Sequence, residues 1–119
     1  DTVDIYLAYD DTIVRIEFWG EEIESIRTID PATGTMPEGI EAQTRQSFAN
    51  IKAILAEAGC TVDHIVKTTV YLADMSLFAP MNEVYAQQFS GAFPARSAFA
   101  VKELPKQALV EIEVIAVKA

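Results

Sequence analysis

Along the first thirty residues, apolar and polar positions alternate in short runs. Val3, Ile5 and Leu7 interleave with Asp4, Tyr6 and Ala8, the two-residue period of a half-buried strand. Asp10-Asp11 makes a turn, after which Val14, Ile16 and Phe18 alternate with Arg15, Glu17 and Trp19. Gly20-Glu21-Glu22 breaks that run, and Ile23 to Ile29 resumes as a third, less regular strand. Strands joined by such short turns predict an antiparallel meander. Phe18 and Trp19 fall on opposite faces, so at least one must be covered by helices or by another subunit.

The period then changes. Asp30-Pro31-Ala32-Thr33-Gly34 has the chemistry of a turn: proline presets one dihedral, glycine permits a positive one, and aspartate bonds locally. Pro37 and Gly39 extend the break. From Ile40 to Ala58 the apolar positions recur at helical spacing, and Gly59 stands where a left-handed C-terminal cap is wanted. The β-branched run Ile65 to Leu72 predicts a strand burying Val66, Thr68, Val70 and Leu72. Ser76 is placed to cap a second helix reaching about Phe89, with Met81, Val84, Tyr85 and Phe89 inward and Pro80 in its first turn. Arg96 to Lys102 and Ala108 to Val117 read as two further strands joined by Glu103-Leu104-Pro105-Lys106. The order β-β-β-α-β-α-β-β predicts an α+β fold, with helices on one face of a mixed sheet.

Composition narrows the function. At 119 residues the chain supports one core, and its 50% hydrophobic content excludes disorder. No apolar run approaches the roughly 18–20 residues of a spanning helix. The acidic, alternating first segment is not a secretory signal. Eighteen Asp+Glu against nine Lys+Arg gives a net charge of −9, which repels phosphate backbones and argues against nucleic acid as the main partner. The charge is uneven: residues 1–34 hold nine acids and two bases, the remainder nine acids and seven bases. One cysteine and one histidine leave no internal disulfide and too few ligands for a zinc site. A soluble, cytoplasmic, acidic domain is expected, with no membrane contact.

Few residues carry candidate chemistry. Arg96 follows Phe93-Pro94-Ala95, and a guanidinium at the start of a strand is a fixed fork for a carboxylate, or half of a surface or intersubunit ion pair. Alternation puts Glu111 and Glu113 on one sheet face and Val110, Ile112 and Val114 on the other. Two acids on one face ordinarily mean solvent. Asn82 is a polar residue on a helix flank, and Tyr85, four residues from Met81, reads as core. Cys60 and His64 lie four apart, but a Cys/His nucleophile needs more than proximity in sequence. His64 is expected to cap a loop or face water.

From Pro31 onward, DPATG, GIEAQTRQSFANIKAILAEAG, VKTTVYLADM, FAPMNEVYAQQF, FPARSAFAVKELPK and ALVEIEVIAVKA occur in the order and spacing of the RidA (YjgF) family of enamine/imine deaminases. The resemblance implies a chorismate-mutase-like fold, usually a homotrimer with active sites at subunit interfaces, and chemistry that needs no metal or organic cofactor. It assigns Arg96 to the carboxylate of a 2-imino acid, Glu111 to positioning the hydrolytic water, and Asn82 to the pocket border. Ala98 stands where several relatives carry a small or thiol-bearing residue, so that position offers no nucleophile. A small 2-imino or 2-oxo acid is the implied ligand.

The first third departs from that family, whose opening strands carry G-P-Y-S-Q-A and S-G-Q stretches that are missing here. Instead, DTVDIYLAYDDTIVRIEFWGEEIESIRTIDPATG resembles the UvrA-binding region of UvrB, also seen in Mfd. The turn D-P-x-T-G occurs in both families. The two resemblances imply a recombined or engineered chimera. It would be one domain, 1–119, in which a UvrB-like segment, 1–34, meets a RidA-like segment, 31–119, across Asp30 to Gly34. With part of the pocket wall replaced, the expectation is a hybrid of little or no activity. The alternative is a working 2-iminobutanoate/2-iminopropanoate deaminase. Binding of UvrA is the weaker alternative, because the rest of the UvrB domain is missing.

Overall fold

The computed structural model describes residues 2–7, 13–18, 21–27, 35–57 and 59–117, with side-chain detail from residue 35 onward. The strands are β1 (Thr2–Leu7), β2 (Ile13–Phe18), β3 (Glu21–Arg27), β4 (Ile65–Leu72), β5 (Ala95–Ala100) and β6 (Val110–Val117). The helices are α1 (Ile40–Glu57) and α2 (Phe78–Gln87). The predicted order of elements is the observed one. The Asp10-Asp11 and Asp30–Gly34 turns, Trp19, and the facing of the Phe18 side chain lie outside the described residues.

The strands form one sheet in the order β3-β2-β1-β6-β4-β5. Every neighbouring pair is antiparallel except β4 and β5, whose parallel pairing requires the crossover that α2 supplies. The opening meander is therefore joined to the rest through β1 and β6, with Ile5 opposite Val114. Strand β3 starts at Glu21 rather than Ile23: Glu21 and Glu22 pair with Phe18 and Glu17, so the ladder continues through residues of poor strand propensity.

Helix α1 begins at Gly39, which has φ +90 and whose carbonyl accepts the first helical bond from Gln43 N at 3.0 Å. It ends in a paired cap: Cys60 N bonds Leu55 O at 2.8 Å and Gly59 N bonds Ala56 O at 3.0 Å, with Gly59 at φ +73. That crossed pair requires the left-handed glycine the sequence placed there. Asp74, not Ser76, opens the second helical region. Its carboxylate accepts from Ser76 N at 2.8 Å and caps a short 3-10 turn, Met75–Leu77, that runs into α2. A carboxylate two residues upstream reaches that N–H, whereas Ser76 is already inside the turn.

Phe48, Ile51, Ile54 and Leu55 of α1 and Met81 and Tyr85 of α2 form one buried cluster with Val70, Leu72, Val110, Ile112, Val114 and Ala116 of the sheet. The expected inward face of β4 is correct from Thr68 onward and fails at its start. A register shift between Ile65 and Lys67 turns Ile65 into the core and leaves Val66 48% exposed. Gln43 closes the top of the core, donating to Pro37 O at 3.0 Å and accepting from Leu109 N at 2.9 Å.

Candidate active site

Strand β5 is the sheet edge, and its register decides where its side chains go. Arg96 lies opposite Thr68 and Ala98 opposite Val70, so both share the helix-covered face. Thr68 is fully buried and its hydroxyl is 2.8 Å from the hydroxyl of Tyr85 on α2. This bond fixes the Tyr85 ring beneath the arginine. The Arg96 guanidinium carbon stands 4.6 Å from the Tyr85 ring centre and 5.1 Å from that of Phe78. Both distances fall within cation–π range. One guanidinium nitrogen donates to Asn82 Oδ1 at 2.5 Å. The bond to Asn82 uses one of five donors, so a planar fork remains for a bidentate anion.

Asn82, Tyr85, Ala86, Phe93, Pro94 and Arg96 line a cleft of about 480 Å³. Its walls are mostly apolar, with the guanidinium as the charged group at one end. A chain of edge-to-face rings backs it: Phe48 against Tyr85 at 5.6 Å and against Phe89 at 5.9 Å, and Phe89 against Phe93 at 5.8 Å. Such a cleft suits a small carboxylate carrying a short apolar substituent. Arg96 and Asn82, separate candidates in the sequence, are brought side by side by β5 and α2. Sequence reasoning took Tyr85 as core, which it is, but missed that the ring is also the platform for Arg96. The aromatic spacing Phe78, Tyr85 signalled only helix packing.

Glu111 is elsewhere. It alternates with buried Val110 and Ile112, so it projects from the open face of the sheet, half-buried, opposite Tyr71 of β4. Arg96 occupies the helix-covered face. The expectation that Arg96 and Glu111 serve one pocket therefore meets a geometric bar within a single chain: the sheet itself separates them. On the open face, Tyr71 and Phe99 stack edge-to-face at 5.3 Å, and Lys67 donates to Ser97 Oγ at 3.1 Å. Burial and the nearby carboxylates of Glu113 and Glu111 push the Tyr71 phenol above its ordinary range. It is neutral at physiological pH.

Cys60 is buried, and His64 is engaged in a cap: its Nδ1 accepts from Thr61 N at 2.9 Å. That bond places the proton of the neutral ring on Nε2 and turns the accepting nitrogen to the backbone. As expected, His64 caps a loop. No helix among the described residues is long and apolar enough to cross a membrane.

A two-helix layer over one face of a mixed sheet, with an arginine cleft at the edge strand, defines the class, and comparison with known families gives it a name. The chain belongs to the Endoribonuclease L-PSP family, which includes the RidA and YjgF proteins; that family's model matches residues 27–118. The model of the UvrB interaction domain matches residues 1–46, overlapping the first match across the Asp30–Gly34 turn. A RutC family protein of Pyrococcus horikoshii is 55% identical over 91 residues, 76% of this chain and 72% of that one. The 2-iminobutanoate/2-iminopropanoate deaminase of Bos taurus is 47% identical over 91 residues, 76% of this chain and 66% of that one. The crystal structure of the Rid family protein YyfA from Yersinia pestis superposes with a TM-score of 0.78 at 48% identity, covering 87% of this chain and 85% of that one. The fold is thus the RidA-like one that the sequence implied.

Proposed function

We propose that this protein is a working imine deaminase that hydrolyses small 2-imino acids to 2-oxo acids and ammonia. The observation that carries the reading is the Arg96 fork, braced by Asn82 and stacked on Tyr85 in an apolar-walled cleft. The deaminases among its relatives support it, and they favour it over an inactive hybrid. The family's description names an endoribonuclease, but a net charge of −9 and, among the described residues, one cationic side chain lining the cleft suit a small carboxylate better than a polyanion.

The chemistry asks for two things. Arg96 binds the substrate carboxylate and holds the adjacent C=N carbon in the cleft. A water adds to that carbon, its proton passes to the substrate nitrogen, and ammonia leaves as the C=O forms. The nitrogen and the two hydrogens supplied by water are all accounted for, so the step needs no redox partner. Glu111 is the group proposed to order the water and carry its proton. Because Arg96 and Glu111 occupy opposite faces of one sheet, the complete site is assembled from two copies of the chain, one giving the arginine cleft and the other the open sheet face. A closed homotrimer provides three such sites.

Subunit mixing tests this directly. Arg96→Ala and Glu111→Gln homo-oligomers should each lose ammonia release from 2-aminoacrylate generated in situ. Co-refolded one-to-one, they should regain roughly a quarter of wild-type turnover, because that share of interfaces pairs two intact groups. No recovery from the mixture, with both parents folded, would overturn the shared site.

The UvrB match over residues 1–46 favours a second reading, in which one folded unit, 1–119, joins a UvrB-like 1–34 to a RidA-like 31–119. Replacing residues 1–34 with the opening strands of a family deaminase decides its consequence. A gain of a hundredfold or more in turnover would restore the reading of the chain as an inactive hybrid, and equal turnover would end it. A UvrA contact would show as retention of UvrA by the immobilised protein.

A further inference from the structure

The open sheet face holds a second titratable side chain beside the proposed water-ordering carboxylate. Tyr71 is the direct cross-strand partner of Glu111, and Thr69 is the partner of Glu113. Directly opposed residues on an antiparallel pair have Cβ atoms about 4.5–5.5 Å apart, within reach of a phenol and a carboxylate on the same face. The Tyr71 ring is clamped edge-on by Phe99 from β5. Its orientation is thereby fixed from the side away from Glu111. Among the residues whose side chains are described, the other charged groups toward this face are Glu113 on β6 and Lys67 on β4, the latter donating to Ser97 and to the Thr68 carbonyl. On β1, Asp4 and Tyr6 hold the register positions opposite Ile115 and Glu113. Strand β5 contributes only Ser97 and Phe99 here.

We infer that Tyr71 is a positioning residue for Glu111, its phenol donating to the carboxylate and holding it in the ionised, water-ordering state. This rests on the deaminase reading for its consequence in catalysis, but the Tyr71–Glu111 coupling itself does not. Glu111 shares its face of β6 with Glu113, so a neighbouring hydrogen-bond donor is the group that would favour its charged form. A neutral phenol supplies such a donor, because hydrogen bonding to the ionised carboxylate stabilises it. The raised phenol pKa is consistent with a donor that keeps its proton between two carboxylates.

Tyr71→Phe removes the hydroxyl and keeps the ring that packs on Phe99. In the variant, the Glu111 carboxyl resonance, followed by carbon-detected NMR titration of the whole protein, should titrate at higher pH than in the wild type. The acidic limb of kcat should move upward with it. Turnover at neutral pH should fall about tenfold, while KM, governed by the Arg96 cleft, stays within twofold. A structural role alone would lower the melting temperature without moving the titration. An unchanged Glu111 titration in Tyr71→Phe overturns the inference, whatever the activity. Wild-type protein with no turnover would instead defeat the deaminase reading, and the titration would still decide the coupling.

Discussion

The two faces of the sheet are built on opposite principles. The helix-covered face is dry and redundant: Phe48, Ile51, Ile54, Leu55, Leu72, Met81 and Ile112 are all fully buried, and rings link α1 to the cleft. Arg96 sits at its margin with its geometry over-determined by Asn82, Tyr85 and Phe78. The open face mixes Lys67, Tyr71, Glu111 and Glu113 with exposed Val66, Phe99 and Val117. Polar and apolar groups interleaved in this way suit a partner surface better than bulk water. One face is finished within the chain, and the proposed function needs a neighbour only at the other.

That contrast is most exposed to a change in the core. Phe48→Ala deletes a fully buried ring that touches both Tyr85 and Phe89, and should cost about 3–5 kcal/mol in chemical denaturation. If the two faces are separable, the surviving folded fraction should show a weakened affinity for 2-oxo acids, because Tyr85 loses its backing. The Glu111 titration should be unmoved. A change in both would mean the faces are coupled through the sheet.

A smaller effect isolates the platform. Thr68→Val keeps volume in β4 but removes the hydroxyl that meets Tyr85 2.8 Å away. Leaving the Tyr85 hydroxyl buried and unpaired should cost about 1–3 kcal/mol. Calorimetry should also show several-fold weaker 2-oxo acid binding, because the ring under Arg96 is freed. Lost stability with intact binding would show that Asn82 and Phe78 hold the guanidinium unaided.

What was legible beforehand follows from where period and capping leave a mark. Helix α1 was readable because its apolar spacing and Gly59 agree, and β6 because Val110 to Val114 alternate without a break. Val66 misled because a strand start can shift register without any change in composition: Ile65 and Val66 are equally greasy, and only pairing with β6 chooses between them. Ser76 misled because Asp74, two residues earlier, starts the turn first by accepting the Ser76 N–H on a charged oxygen. Its hydrogen bonds with Ser76 hold the Asp74 carboxyl below its usual range. The facing of Arg96 was hidden for a different reason. Edge strand β5 is exposed at nearly every position, so no buried face imprints a two-residue period on Ala95–Ala100. Only the register with β4 reveals that Arg96 and Glu111 point apart.

The smallest effect is expected in the turn that feeds β6, the strand presenting Val110 to one face and Glu111 to the other. Lys106 and Gln107 both adopt left-handed conformations, φ 54 and φ 58, unusual for residues with side chains. A left-handed non-glycine residue costs roughly 1–2 kcal/mol, so Lys106→Gly relieves strain. Glycine also loses more entropy on folding, about 0.5–1 kcal/mol, which offsets about half of the relief. The net should be a stabilisation of about 0.5 kcal/mol in denaturant titration, with turnover and the Glu111 titration unchanged. A one-residue slip of β6 would exchange its two faces, moving Glu111 inward and Ile112 outward. Lys106→Gly that stabilises the chain yet abolishes turnover would therefore show that the strained turn sets the register of β6, and with it the division of labour between the faces.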